Sequence, residues 1–343
     1  MTAETWEVVF SERLGAFTEV EQRLEANPAA RLRIAPLRTE QELIENARGA
    51  DVLVVGAVEP VSATVLAELP RLKAVVRRGI GVDNVDVAAA SELGIPVAYV
   101  PAATVEEVSD HALALALTLA RRIPPIEVAV RVGDTVEAAR LGNQTRRFSE
   151  LTLGVVGFGR IGRAMARKSR SVFADVIAYD PMLQAGTTSD GVELVELEAL
   201  WSRSDVITLH APSTPGTRAL VNVDTLAAMK PGVLIVNTAR GQLVDEAALV
   251  DAVASGHTGG AALDVTTIEP LPLDSPLFDC QGILLTGHTA SKGAAASLAL
   301  RTTVVDAILS VISGGTPEFL ADPSVVDSND YRLAPARHTT KGN

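Results

Sequence analysis

The sequence has little of several residue types, and each shortage limits the structure or the function that the protein can have. Only one of its 343 residues is cysteine, Cys280, so neither an internal disulfide nor a cysteine-based zinc site can form. Aromatic residues make up 3% of the chain, which predicts an aliphatic core. A basic excess is absent: the formal net charge is −12. This charge disfavours nucleic acid and anionic membrane surfaces as partners, unless a local basic patch exists.

Long hydrophobic runs are also lacking. The longest, residues 112–120, is far shorter than the roughly 20 residues that span a bilayer. The amino-terminal segment is charged throughout and lacks the apolar stretch of a signal peptide. Together with the single cysteine, these features lead us to expect a cytoplasmic protein without a membrane partner. No zinc-ligand pattern occurs, and no bound metal is expected.

Runs of β-branched residues alternate with helical patterns along the chain. The first series of predicted strands covers residues 6–10, 31–37, 52–55, 74–77 and 97–100, and the second covers 152–156, 176–179, 206–209, 233–237, 261–263 and 283–286. Predicted helices include 11–26, 105–122 and 293–313, and 126–150 is predicted to be a connector with some helix. This alternation predicts an α/β fold with parallel sheets, and the length predicts about two domains.

Residues 157–162 read GFGRIG, the G-x-G-x-x-G pattern of dinucleotide-binding proteins, between a predicted strand and a predicted helix. Gly157 permits a tight turn, Gly159 lets the backbone approach a pyrophosphate, and Gly162 lets the helix pack on the strand. Asp180 ends the next strand, where it would accept hydrogen bonds from the adenosine ribose. Because it would also repel a 2′-phosphate, the sequence predicts NAD rather than NADP as the cofactor.

Four polar residues, Arg240, Asp264, Glu269 and His288, follow the carboxyl ends of strands in the second series. Ligands of open parallel sheets bind at that edge. Reduction of a carbonyl by hydride needs a cation for the carboxylate and carbonyl, a general acid for the oxygen, and a carboxylate beside that acid. Arg240, His288 and Glu269 match these needs in that order.

The other histidines are less suited to acid catalysis. His257 precedes its strand and therefore lies at the opposite edge of the sheet. His111 lies on the long predicted helix, where a structural role is favoured, and His338 lies near the end of the chain. His210 follows a strand at the carboxyl edge, so topology leaves its role open.

Taken together, these motifs resemble the D-isomer-specific 2-hydroxyacid dehydrogenase family over about residues 5–320. The matching segments are GIGVDNVD at 79–86, GFGRIG at 157–162, NTARG at 237–241, AALDV at 261–265, Glu269-Pro270 and Gly287-His288. The resemblance implies an NAD-dependent oxidoreductase that moves a hydride between NAD(H) and C2 of a small 2-hydroxy or 2-keto acid. The phosphoglycerate dehydrogenase and C-terminal-binding-protein-like branches look most similar.

The resemblance also implies the domain organisation. Two Rossmann-like, doubly wound parallel-sheet domains would place the active site in the cleft between them. Residues 1–101 and 288–321 would form a flavodoxin-like substrate domain, and 102–287 the NAD-binding domain, through which a homodimer would form. Residues 322–343 are rich in polar residues and proline, and we expect this tail to be poorly ordered.

By the same resemblance, Arg240, Glu269 and His288 form the catalytic trio. Arg240 and the backbone N–H groups of the loop Arg78-Gly79-Ile80 would bind the small anionic substrate. The implied cofactor contacts are Gly157, Gly159, Arg160, Ile161, Gly162, Asp180, Ala211, Pro212, Thr217, Thr238, Ala239 and Asp264.

Position 78 departs from the family pattern, which usually has a small, aliphatic or aromatic residue there. Here Arg77 and Arg78 are adjacent, and neighbouring strand residues point to opposite faces. We hypothesise that Arg78 reaches the substrate, which would then carry a second anionic group such as a phosphate, phosphonate or carboxylate. The alternative is a structural arginine. Gly287 is a second departure, because many relatives have proline before the catalytic histidine.

Two other functions are compatible with the sequence. Some C-terminal-binding-protein-like members are NAD-sensing corepressors that keep the same trio. A phosphite dehydrogenase would also use Arg240 and His288. Formate is disfavoured as a substrate, because the formate enzymes of this superfamily have glutamine at the position of Glu269.

Overall fold

The computed structural model describes residues 5–333. They form two compact units: residues 5–104 together with 293–333 make the first, and Val105–Lys292 make the second. The domain boundaries predicted after residues 101 and 287 lie a few residues before these divisions.

The secondary structure alternates between strands and helices along almost the whole chain. The strands are β1 (Trp6–Ser11), β2 (Ala30–Ala35), β3 (Val52–Val55), β4 (Ala74–Arg77), β5 (Val97–Ala98), β6 (Thr152–Val156), β7 (Asp175–Tyr179), β8 (Thr188–Ser189), β9 (Val192–Leu194), β10 (Val206–Leu209), β11 (Val233–Asn237), β12 (Thr258–Leu263) and β13 (Ile283–Leu285). The α-helices are α1 (Gln22–Glu25), α2 (Glu40–Ala47), α3 (Ala63–Ala67), α4 (Val87–Glu92), α5 (Val105–Ala120), α6 (Ile123–Arg131), α7 (Thr135–Gly142), α8 (Arg160–Ser169), α9 (Leu197–Arg203), α10 (Val223–Ala228), α11 (Glu246–Ala254) and α12 (Ala294–Ile312).

The sheet of the first unit has five parallel strands in the order β2-β1-β3-β4-β5. This is the 2-1-3-4-5 order of flavodoxin-like folds. All residues of β3 and β4 are buried, as in a parallel sheet whose two faces are both covered. The strand order reverses between β1 and β3, so the loops after these strands mark the edge where ligands of such sheets bind.

The second unit has an eight-stranded sheet in the order β13-β12-β11-β10-β6-β7-β9-β8. All neighbours are parallel except β8 and β9. The six strands β9-β7-β6-β10-β11-β12 follow the Rossmann order 3-2-1-4-5-6, and β13 and β8 are added at the two edges. The order reverses between β6 and β10. The predicted fold class, two doubly wound parallel sheets, is confirmed.

Helix α12 packs on the sheet of the first unit. Its buried residues Val304, Val305, Ile308 and Val311 belong to the same core cluster as the residues on one face of β1, β3 and β4. Among the described residues, it is the one helix whose length and apolar composition would allow it to cross a membrane.

The region after β1 differs from the predicted helix at residues 11–26. A short 3-10 helix, Glu12–Leu14, ends at Gly15, which has a φ of 80°. In the rest of the region 11–26, only the four residues of α1 are α-helical. That prediction was wrong because the glycine adopts the left-handed conformation that terminates helices. The region 126–150, predicted to contain some helix, contains most of α6 and all of α7.

The described part of the tail is ordered, contrary to our expectation for residues 322–343. Val325 and Leu333 are buried, and Pro323–Asp327 form a 3-10 helix. The guanidinium of Arg332 donates hydrogen bonds to the carbonyls of Leu93 and Leu72, at 2.9 and 2.6 Å. These contacts offset the entropic cost of ordering the segment. Residues 334–343 lie outside the described residues.

Candidate active site

The glycine-rich turn links β6 to α8 in the second unit. Gly157 has a φ of 90°, and a Cβ there would lie 2.7 Å from the backbone of His210 and Ala211. A Cβ on Gly162 would lie 2.0 Å from the carbonyl oxygen of Gly157, so only glycine lets α8 pack this closely. Gly159, the N-cap of α8, has no atom within 4 Å of its Cβ position. Its open side lets a pyrophosphate approach the helix N-terminus.

Asp180 follows β7 and contacts the glycine-rich turn. Its two carboxylate oxygens accept hydrogen bonds from the backbone N–H groups of Phe158 and Met182, at 2.9 and 3.0 Å. These bonds fix the carboxylate beside the turn, where remaining lone pairs can accept from ribose hydroxyls. The arrangement fits the predicted NAD site.

The loop after β10 lies beside the same turn. The Thr217 hydroxyl donates to the carbonyl of Pro212 at 2.7 Å and accepts from the N–H of Thr214 at 2.8 Å. Ala211 precedes this turn, and its amide nitrogen borders Gly157. The predicted lining residues Ala211, Pro212 and Thr217 are therefore held together by the loop itself.

His210, whose role the sequence left open, has a partly buried ring that is hydrogen-bonded to Thr208. The distance from the ring Nε2 to the Thr208 hydroxyl is 3.0 Å. Burial lowers the pKa of His210 to about 4. The ring is therefore neutral near pH 7, which makes a structural role fit better than acid catalysis.

The loop after β11 places Arg240. The buried side chain of Asn237 accepts from the N–H of Ala239 at 3.0 Å and donates to the carbonyl of Arg240 at 2.8 Å. The hydroxyl of Thr238 is buried and has no hydrogen-bond partner among the described residues. An unsatisfied buried hydroxyl at a predicted cofactor contact fits a bound dinucleotide.

The Arg240 loop packs against the loop that carries Glu269. A Cβ on Gly241 would lie 2.0 Å from the carbonyl carbon of Thr266, so the two backbones touch. Glu269 accepts the N–H of Thr266 at 3.1 Å through one oxygen. The other oxygen lies 2.6 Å from Nδ1 of His288. The structure thus brings the loops of all three predicted catalytic residues together in the second unit.

The pairing of His288 with Glu269 defines how the imidazole can react. Because a carboxylate can only accept, Nδ1 carries the proton of this hydrogen bond. Nε2 is then the nitrogen that can exchange a proton with a substrate. Glu269 fixes the ring orientation and compensates the positive charge of the protonated ring.

His288 also has an unusual backbone. Its φ is 58°, the left-handed conformation that costs a non-glycine residue ~1 kcal/mol or more. Asp264 holds this turn: its carbonyl accepts from the N–H of His288, and its carboxylate from the N–H groups of Thr289 and Ala290 at 2.8 and 2.9 Å. Asp264, predicted as a cofactor contact, therefore also fixes the backbone of the His288 turn.

Two residues that sequence reasoning did not assign to the site extend this network. The hydroxyl of Thr286 donates to Asp264 at 2.6 Å, and His111 Nε2 lies 3.1 Å from the same hydroxyl. Thr286 could have been found from its position two residues before His288. His111 is 175 residues away in sequence, and no local signal links it to the site.

The predicted substrate loop, Arg78-Gly79-Ile80, lies in the first unit. The N–H groups of Arg78 and Gly79 donate to the carbonyls of Val55 and Arg77, each at 2.9 Å. Of the three loop N–H groups, only that of Ile80 lacks such a bond among the described residues. Of the N–H groups that were predicted to bind a carboxylate, those of Arg78 and Gly79 thus already have backbone acceptors, and the N–H of Ile80 stays the candidate.

The two adjacent arginines diverge, as strand alternation requires. Arg77 is buried, and a Cβ on Gly79 would lie 1.6 Å from its Nη1. The Arg78 guanidinium donates instead to the carbonyl of Leu14, at 3.0 Å. Arg78 therefore faces the loop after β1.

Together, the Rossmann strand order, the glycine-rich turn with Asp180 and the His288–Glu269 pair are typical of nicotinamide-dependent oxidoreductases. Comparison with known families gives the particular one. The model of the D-isomer specific 2-hydroxyacid dehydrogenase NAD binding domain matches residues 113–290. The chain belongs to this family, and its cofactor is NAD.

Known relatives agree with this assignment. The chain is 41% identical over 274 residues to a D-3-phosphoglycerate dehydrogenase of Mycobacterium bovis, covering 80% of this chain and 51% of the relative. It is 37% identical to a hydroxypyruvate reductase of Thermotoga maritima, covering 78% and 87%. A D-lactate dehydrogenase structure from Aquifex aeolicus, with NAD and lactic acid, superposes with a TM-score of 0.79 at 28% identity and covers 90% and 96%. The chain spans about half the length of the phosphoglycerate dehydrogenases that it matches.

Proposed function

We propose that the protein is an NAD-dependent dehydrogenase that interconverts a small 2-hydroxy acid and the corresponding 2-keto acid. The observation that carries this proposal is the 2.6 Å contact between His288 Nδ1 and Glu269, on loops that adjoin the Arg240 loop. When bound, the cofactor supplies the hydride for C2 in reduction and accepts it in oxidation.

The residues of the second unit supply the rest of the chemistry. The Arg240 guanidinium binds the substrate carboxylate and polarises the carbonyl, because its planar fork matches two oxygens. In reduction, His288 donates a proton from Nε2 to the oxygen at C2, and in oxidation it removes that proton. Glu269 keeps the ring aligned in both directions.

We also propose that the substrate carries a second anionic group. Arg78 stands where the family usually has an uncharged residue, and a D-3-phosphoglycerate dehydrogenase is among the relatives. The cytoplasmic location expected from the sequence is likewise a proposal, supported by the single cysteine.

A homodimer formed through the second unit is proposed as well. Helices α6 and α7 and the turn between them expose an unusual number of large apolar side chains. They are Ile123, Val128, Val130, Val132 and Val136, which are 52–79% exposed. Exposed apolar clusters of this kind favour association with another protein surface. We propose that this face packs against the same face of a second copy of the chain.

A screen of NADH oxidation over 2-keto acids of varied charge and length tests the activity. At least one acid should be reduced, and His288→Ala should lower its turnover about 100- to 10,000-fold while the Kd for NADH is unchanged. His257→Ala is the control, because that ring contacts the Leu226 carbonyl away from the site, at 2.8 Å. Absence of turnover with every acid, or full turnover by His288→Ala, would contradict the proposal.

A further inference from the structure

Two arginines of the first unit converge on one backbone carbonyl. Arg78 Nη1 donates to the carbonyl of Leu14 at 3.0 Å, and Arg301 Nη2 lies 3.5 Å from the same oxygen. Arg78 directly follows β4, Arg301 lies on α12, and Leu14 lies in the segment after β1. This is the sheet edge at which flavodoxin-like folds bind ligands, next to the reversal of strand order.

The cluster has more positive than negative charge. Arg301 pairs with Glu21 at 2.7 Å, and both side chains are largely buried, with 15% and 6% exposed. The other oxygen of Glu21 accepts from the N–H and hydroxyl of Thr18, at 2.8 and 2.7 Å. Both carboxylate oxygens of Glu21 are therefore already hydrogen-bonded to other groups. Among residues 5–333, no carboxylate lies within ion-pair distance of Arg78.

The surroundings of this cluster are apolar and partly enclosed. Phe10, Leu14, Phe17 and Val304 line a small pocket together with the three charged groups. Burial, followed by the charge of Arg301, lowers the pKa of Arg78. The charge of Glu21 acts in the opposite direction but does not cancel this effect. A partly buried guanidinium without a directly paired carboxylate is costly, and an anion beside it would reduce that cost.

We propose that Arg78 and Arg301 form a binding site for a compact oxyanion: a phosphate, phosphonate or carboxylate group. This rests on the proposed function in one respect: we take the oxyanion to be the second anionic group of the 2-keto acid. The same chemistry would fit free phosphate acting as an effector. Glu21 then positions Arg301, and Arg78 determines the preference for doubly charged substrates.

The test uses the full chain with NADH bound, and inorganic phosphate as the probe. Arg78→Gln removes the charge but keeps a donor that can bond the Leu14 carbonyl, so the segment stays in place. Calorimetry should show phosphate binding to the wild type and about tenfold or weaker binding to the variant, since a hydrogen bond to a charged group is lost. Arg48→Gln, on an exposed arginine of the same unit, should bind as the wild type does.

Kinetics with matched acids distinguish the two sources of the anion. Arg78→Gln should raise KM for 2-ketoglutarate about tenfold and leave KM for 2-ketovalerate unchanged if the anion belongs to the substrate. Phosphate should then compete with 2-ketoglutarate. If phosphate instead changes kcat for 2-ketovalerate in the wild type only, the site binds an effector.

Arg301→Lys keeps the charge and the pair with Glu21 but loses the planar fork, and should weaken phosphate binding less than Arg78→Gln does. Equal phosphate binding by the wild type and Arg78→Gln, with the variant folded, would overturn the site. That result leaves the proposed activity standing if keto acids are still reduced. Arg78-dependent phosphate binding without any turnover would leave the site standing and remove the activity.

Discussion

At the scale of single residues, the two histidines at the ends of β10 and β13 have opposite environments. His288 has a side chain that is 36% exposed and bonded to a carboxylate, whereas the His210 ring is partly buried and hydrogen-bonded to a threonine hydroxyl. In the proposed function, the first exchanges a proton with the substrate. The second is held neutral, and its protonation is coupled to folding instead.

This coupling gives a pH dependence for stability. The pKa of His210 is about 4 in the folded state, below the ordinary histidine value of 6.5, so between these values the unfolded chain binds more protons. The His210 contribution to stability is complete above about pH 6.5 and is lost as pH falls toward 4. At pH 5 the loss should be about 2 kcal/mol relative to pH 7.

Urea unfolding of the wild type and of His210→Asn at pH 7 and pH 5 checks this prediction. The wild type should lose about 2 kcal/mol more than the variant on acidification, because asparagine does not titrate. An identical loss in both proteins would show that His210 does not titrate between these values. His257→Asn is a suitable second control, because it replaces another hydrogen-bonded histidine, whose ring contacts the Leu226 carbonyl.

At the scale of elements, the turn after β13 depends on a helix far away in sequence. The Thr286 hydroxyl gives its only proton to Asp264, so it must accept from His111, and the ring nitrogen Nε2 of His111 carries a proton. The chain of bonds runs from α5 through Thr286 and Asp264 to the backbone of the His288 turn. We therefore predict that His111 helps to position the His288 turn.

Replacing His111 tests this chain. His111→Leu should lower kcat about tenfold or more through displacement of the His288 turn, with KM and the Kd for NADH close to wild type. His111→Gln retains a donor at the end of its side chain and should restore most of kcat. A purely structural role would instead lower thermal stability in both variants without separating kcat from KM.

Sequence reasoning predicted the positions of elements and residues correctly where the signal was local, and the roles of the site residues stay predictions. The glycine-rich turn, Asp180 and the residues at strand ends follow from spacing and topology, and α12 was predicted within one residue at each end. It failed where backbone conformation or distant pairing decides. The left-handed Gly15 broke the helix expected after β1, and the His111–Thr286 contact has no local signature. The alternation of side chains along a strand predicted that Arg77 and Arg78 point to opposite faces. Which of the two is buried beside Gly79 and which faces the loop after β1 depends on tertiary packing, which the sequence does not show.

At the scale of the whole molecule, the exposed valines of α6 and α7 and the turn between them give the proposed dimer a direct test. Val132 and Val136 are 76% and 79% exposed, and charges placed there would be buried without partners in a dimer. The double variant Val132→Glu/Val136→Glu should shift the protein from dimer to monomer in light scattering after size exclusion.

Val223→Glu is the matched control for that experiment. Val223 is 66% exposed at the start of α10, where a glutamate is well tolerated, and its substitution should leave the oligomeric state unchanged. A wild-type monomer at micromolar concentration, or a double variant that stays dimeric, would rule out this surface as the interface.

The first unit is assembled from two separate stretches of chain, and this affects the order of events during synthesis. Val304 and Ile308 of α12 complete a core that β1, β3 and β4 begin, and Leu320 pairs beside Ala98 at the sheet edge. The second unit is continuous and can fold as soon as it leaves the ribosome. The strands of the first unit must therefore wait, with an incomplete apolar layer, until the whole second unit, Val105–Lys292, and then α12 have been translated.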